Sequence, residues 1–272
     1  MKKLSYLSFV VLFYFISACA TAPLTGRKQL ILLPASEINA MSFQAYNQML
    51  SEQQVVKGTT EAQTVQNVGQ RIQYAVETYL KSVNKTDLIK GFQWEYNLVK
   101  EPSANASCMP GGKVIFHTGI MPICQTPTGV GVVMGHEVAH AVASHGNERM
   151  SQGMAAQGVL SVGAALMNQN PTLGKQLILQ AAGLGTQVGL LKFSRDQESE
   201  ADHLGIIFMA MAGYNPAESI AFWQRMQTQA GGNAPPEFLS THPSSATRIN
   251  NLKKWLPEAM NYYNASPYKG KP

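Results

Sequence analysis

Apolar residues recur at helical intervals over residues 36 to 54 and again over 60 to 82, where Val65, Val68, Ile72, Val76 and Leu80 fall on one stripe. Two helices that each cover a core are therefore predicted. The period then shortens. FQWEYNLVK, from Phe92 to Lys100, and KVIFHT, from Lys113 to Thr118, alternate as strands, and the turn Pro110-Gly111-Gly112 introduces the second. A helical pattern returns over 128 to 149. The stretch 151 to 192 is rich in Ala, Gly, Leu and Val but is interrupted by Asn168, Asn170 and Pro171, so neither half is a span of membrane length. It reads as a helical hairpin with one apolar face, or alternatively as an insertion that dips into a membrane surface. Further helices are expected near 195 to 212, 216 to 229 and 245 to 255, with the loop AGGNAPPEFLSTHP before the last. The expected fold class is α+β, mainly α, with a small sheet.

A chain of 272 residues with 45% hydrophobic and 14% charged side chains fits one compact domain with appendages. The net charge of +5 is scattered, with no basic run longer than pairs such as Lys253-Lys254, so no nucleic-acid partner is expected. The start, MKKLSYLSFVVLFYFISAC, has the cationic head and short apolar run of an export signal. Its ending resembles the bacterial lipoprotein box. That resemblance implies a signal peptide over 1–18 and a lipidated tether over 19–35 that begins at Cys19, which leaves a folded domain over 36–272. With Ala20 after the cysteine, it also implies an anchor in outer-membrane lipid at the periplasmic face, through acyl chains on Cys19. Cys108 and Cys124 could form a disulfide in an exported protein or sit as two buried thiols.

The chemistry is concentrated in MGHEVAHAVASHGN, residues 134 to 147. At about 100° per residue, His136 and His140 lie roughly 40° apart on adjacent turns, so both imidazoles can grip one ion. Glu137 projects from the neighbouring stripe and can reach a water without binding the ion itself. His145 falls off that face and is not expected to ligate. A catalytic zinc needs a third protein ligand, and the pattern that would supply a further histidine is absent because position 146 is Gly and position 143 is Ala. SRDQESEADHLG offers acids instead. Glu198 and Asp202 share a helix face while Glu200 points the other way, so Glu198 is assigned as ligand and Asp202 as the acceptor that orients a ligand histidine. One Zn2+ per chain is expected.

HEVAH followed by SRDQESEADHLG resembles the zinc metalloprotease family of the HtpX and CAAX prenyl protease type. TGRKQL, MPGGKVIFHTG, GHEVAHAVASHGNERMS and STHPSSATRI make the chain similar to small lipoprotein members of the BepA and LoiP type. The resemblance implies a minimal gluzincin-type zincin domain, built on a small sheet and the HExxH helix. It implies a role near the metal for His242, either assisting the oxyanion or closing the open coordination position. By residue chemistry alone His242 is a turn or cap residue. Arg248 is its positioning partner or a surface charge. The resemblance also favours Lys113, Val114, Ile115 and Phe116 as an exposed edge that pairs with extended substrate, over an interior strand with both edges occupied.

The expected function is that of an outer-membrane-anchored zinc endopeptidase. It would degrade misfolded or unassembled envelope proteins by zinc-activated water with Glu137 as general base. Outer-membrane assembly machinery is a further expected partner. The alternative is a chaperone-like assembly factor for outer-membrane proteins with a mainly structural zinc.

Overall fold

The computed structural model describes residues 19–156, 193–230, 237–242 and 246–271. The expected signal peptide, most of the hairpin expected at 151 to 192, and the Gly- and Pro-bearing loop at 231–236 lie outside the described residues. Among the described residues no helix is long and apolar enough to cross a membrane. The architecture is α+β and mainly α, as the periodicities predict.

Strands β1 (Cys19–Thr21) and β2 (Lys28–Leu30) pair antiparallel as a small hairpin and lead into helix α1 (Ala35–Glu52). Strand β3 (Val55–Val56) is followed by α2 (Thr60–Ser82), which is started by Thr59, whose hydroxyl accepts from the Ala62 amide. The predicted stripe of α2 is buried at all five positions. Strands β4 (Glu95–Val99), β5 (Ala106–Met109) and β6 (Lys113–His117) complete a sheet in the order β3-β4-β6-β5. Gly111 and Gly112, both at φ +84°, turn the chain between β5 and β6 in a backbone region that side chains disfavour.

Helix α3 (Pro127–Val142) has Pro127 in its first turn, and the Thr126 hydroxyl accepts from the Gly129 amide. Every residue from Gly129 to Val142 is buried, which is what an all-round apolar helix requires. Where one helix to about 149 was expected, α3 stops. Ser144 takes φ +60° and α4 (His145–Ala156) sets off in a new direction. Helix α5 (Arg195–Met211) begins with a capping box, the Ser194 hydroxyl on the Gln197 amide and the Gln197 side chain on the Ser194 amide. Helices α6 (Glu218–Ala230) and α7 (Ala246–Ala265) follow, the latter running ten residues beyond the expected end.

The crossing of α3 and α5 positions the site. A Cβ on Gly135 would sit 2.7 Å from the Gly205 carbonyl oxygen, and one on Gly205 would sit 2.9 Å from the His136 amide nitrogen. Two glycines therefore let the backbones touch next to His136. Backbone cannot yield as a flexible side chain can, so Gly135→Ala is expected to cost about 1–3 kcal/mol by overpacking. A denaturant midpoint equal to wild type would show that the helices separate at no cost.

Two expectations are revised here, and the choice left open for the cysteines is decided. The segment expected as a tether, 19–35, carries a hairpin and is docked: Ala22 is buried, the Leu32 amide donates to Ser151 Oγ, and Asn147 Nδ2 donates to the Leu33 carbonyl. Cys108 and Cys124 are free thiols, each enclosed in the apolar core as a small hydrophobe. Lys113, Val114, Ile115 and Phe116 are not an exposed edge, because β6 is flanked by parallel β4 and antiparallel β5. Val114, Ile115 and Phe116 are fully buried, and Lys113 Nζ lies 3.1 Å from Glu95 and over the Phe43 ring. The edge next to β6 is β5, whose short ASCM run carries no alternation to signal a strand, and β3 forms the opposite edge.

Candidate metal centre

His136 and His140 on α3, Glu198 on α5 and His242 after the helical turn Phe238–Thr241 converge, with one donor atom from each lying within 4.8 Å of the others. His136 Nε2 is 3.1 Å from His140 Nε2 and 3.1 Å from His242 Nδ1. Glu198 Oε1 lies 3.3 Å from His140 Nε2 and 2.8 Å from His242 Nδ1. All four residues are buried.

The partners of the other ring nitrogens fix the tautomers. Asp202 Oδ1 sits 3.0 Å from His136 Nδ1, which places the proton there and leaves the lone pair on Nε2. His145 Nε2 faces Glu200 Oε2 at 3.2 Å and so carries the hydrogen. His145 Nδ1 is then an acceptor, and His140 Nδ1 donates to it at 2.8 Å. The two ligand-type nitrogens therefore confront each other as acceptors at 3.1 Å. Arg248 Nη2 approaches His136 Nε2 at 3.3 Å but is committed to Asp202 and Glu198 oxygens at 2.7 and 2.8 Å. Burial pushes His136 and His140 well below the ordinary histidine range, which keeps both rings in the neutral form that could ligate a metal.

These residues fit a zinc ion. With bonds of about 2.0–2.1 Å, the corners of a zinc tetrahedron stand roughly 3.3 Å apart, close to the separations found. Facing lone pairs and an adjoining carboxylate are stabilised by a cation between them. Burial raises the Glu198 carboxyl, but neighbouring His242 and the Arg248 guanidinium outweigh it and hold the group well below the usual range.

Glu137 lies beside the cluster without joining it. One oxygen accepts from the Cys108 backbone amide on β5, while Oε1 is buried without a hydrogen-bond partner, 3.5 Å from His242 Nε2. Burial first, and the charge of Glu198 second, push its pKa well above the carboxylate norm. Asp202 is raised to about 6 by burial, with Arg248 pulling against that rise. Arg248 is no surface charge. It is buried, packs 3.4 Å over the Trp223 ring, ties Glu198 to Asp202, and its Nη1 donates to the His242 carbonyl at 3.4 Å.

Sequence reasoning missed three features of the site. His145 lies off the ligand stripe, and it reaches His140 because the chain breaks at Ser144. Glu200 does point away from Glu198, but toward His145 and Arg27. Phe193 stacks on His140 with centroids 3.9 Å apart, and the Arg149 guanidinium lies 3.9 Å from the centre of the Phe193 ring. Only TGRKQL, which carries Thr25 and Arg27, could have pointed to the second of these.

Two histidines one turn apart, an acid from a second helix and an unligated glutamate next to the first histidine define a metallopeptidase centre of the zincin class. The sequence profile of peptidase family M48 matches residues 67–256, and the chain belongs to that family, whose members use zinc. It is similar to the mitochondrial metalloendopeptidase OMA1 of Saccharomyces cerevisiae, 37% identical over 190 residues that make up 66% of this chain and 52% of that protein. The human metalloendopeptidase OMA1, mitochondrial, is 28% identical over 258 residues, 92% of this chain and 48% of the relative. The beta-barrel assembly-enhancing protease of Escherichia coli is 26% identical over 182 residues, 65% of this chain and 37% of that protein. The chain thus spans about half the length of the OMA1 relatives it matches.

The expected bacterial outer-membrane location is overturned. The yeast and human relatives bear mitochondrial names and match at higher identity than the bacterial beta-barrel protease. A cationic start and an apolar run before a cysteine encode hydrophobicity, and hydrophobicity alone does not specify which membrane receives the chain.

Proposed function

We propose that this chain is a zinc endopeptidase that cleaves extended segments of unfolded or misfolded proteins, with His136, His140 and Glu198 as the ligands and Glu137 as the general base. The observation that carries this reading is the buried four-residue donor cluster with the unpartnered Glu137 oxygen beside it. Zinc held there would polarise a scissile carbonyl and acidify water. Glu137 would take the proton from the attacking water and return it to the leaving amine, and the unpartnered Oε1 beside the cluster is placed for both tasks. The β5 edge is the proposed substrate platform. It runs beside α3, its Cys108 amide contacts the base, and main-chain pairing on an edge selects extended polypeptide regardless of side chains. The cleft lined by Ile38, Phe92, Cys108, Glu137, His140 and Phe193 is the proposed receptor for an adjoining apolar side chain. His242, whose Nδ1 stands at the fourth corner of the cluster, is proposed to hold the site closed until substrate displaces it.

The test is cleavage of a permanently unfolded protein by the purified chain. Fragments are expected with zinc, none after treatment with a chelator, and recovery on adding zinc back, while the natively folded form of the same protein survives. Cleavage that persists in chelator would sink the proposal.

A further inference from the structure

The hairpin turn between β1 and β2 reaches the metal cluster through a continuous series of polar contacts. Arg27 lays its fork on Glu148, Nη1 on Oε1 at 2.9 Å and Nη2 on Oε2 at 2.6 Å, and turns its Nε to Glu200 Oε2 at 2.8 Å. The Thr25 hydroxyl donates to the other Glu200 oxygen at 2.5 Å. Glu200 Oε2 receives His145 Nε2, and His145 Nδ1 receives the proton of His140. Each group is thus placed by the next, from the hairpin to a nitrogen that faces the metal position.

We propose that Arg27 and Thr25 are positioning residues for the metal, acting through Glu200 and His145 on the ring of His140, so that the N-terminal hairpin sets how tightly the site keeps its ion. The inference rests on the reading of His140 as a zinc ligand. An isolated surface ion pair would not support it, since such pairs contribute about 0–1 kcal/mol. Here both carboxylates are nearly inaccessible, with side chains 3% and 4% exposed, while Arg27 is 20% exposed. Without the guanidinium, Glu148 and Glu200 would be two buried carboxylates sharing one region, and repulsion would move Glu200 off His145. His140 would then lose the acceptor that fixes its tautomer and ring angle. Detachment of the hairpin by strain or by cleavage between Ala22 and Leu33 would loosen zinc in the same way.

The experiment measures zinc affinity of the full chain by competition with a chromophoric chelator, alongside thermal unfolding of the zinc-free form. Outer partners of ligand histidines typically govern affinity by about 10–100-fold, so Glu200→Gln and Arg27→Gln are each expected to weaken zinc about tenfold, with Thr25→Ala a milder change in the same direction. Because Arg27 acts through Glu200, the double variant should bind zinc no worse than Glu200→Gln alone. Additive losses would overturn the proposal. So would unchanged zinc affinity in folded Arg27→Gln and Thr25→Ala proteins, even if the zinc-free form melts earlier, since that pattern marks a merely structural contact. If Arg27→Gln fails to fold, Thr25→Ala decides the matter. A wild-type chain that binds no zinc would remove the metal reading and this inference together, whereas zinc-binding wild type with indifferent variants removes this inference alone.

Discussion

Glu137→Gln is expected to keep its zinc and to lose cleavage by about 10²–10⁴-fold, the usual contribution of a positioned general base. The substitution is nearly isosteric, and burial of Glu137 penalises its charged form, so the fold should tolerate an uncharged amide. The Cys108 amide keeps an acceptor in the glutamine carbonyl. What disappears is the proton acceptor next to the ligand cluster. Metal content by elemental analysis and cleavage of a quenched fluorescent unfolded substrate measure the two halves of the expectation. A variant that retains zinc and cleaves as fast as wild type would assign the base to another residue.

Glu198→Ala and His242→Ala are expected to separate, although both side chains belong to the same cluster. Loss of Glu198 removes the anionic donor and leaves Arg248 with Asp202 as its remaining acid among the contacts described above. Zinc affinity should therefore fall by more than the roughly 10–100-fold typical of outer partners, and cleavage should fall with it. Loss of His242 leaves two histidines and Glu198, the three-ligand arrangement that a catalytic zinc needs. That variant is expected to hold zinc and to cleave faster, because the fourth corner is open without rearrangement. The measurements are zinc affinity by chelator competition and the initial rate on the same substrate. If His242→Ala loses zinc as completely as Glu198→Ala, His242 is an obligatory ligand and its proposed role as a displaceable cover is wrong.

Much of the site was legible because helix geometry is local. His136 and His140 one turn apart, with Asp202 one turn beyond Glu198, specify which side chains share a face whatever the rest of the chain does. The start of α5 was legible for the same reason, since Ser194 and Gln197 form its cap within four residues. The role of His145 was hidden by one backbone angle. On an unbroken helix it lies off the ligand face, and the left-handed turn at Ser144 returns it to His140. The edge strand was misplaced because KVIFHT has the stronger β pattern, and that strength reflects burial on both sides.

The sequence by itself determined where most of the described helices begin, the buried stripe of α2 and the pairing of two imidazoles with a neighbouring carboxylate, since each follows from periodicity within a few turns of chain. Only the tertiary structure decided that β5 and not β6 lies at the edge, that Arg248 ties Glu198 to Asp202, that His242 packs against the His136, His140 and Glu198 side chains, and that Arg27 reaches toward His140 through two intermediates. Strand order and the meeting of side chains that are distant along the chain depend on how whole elements pack, and no local period records that packing.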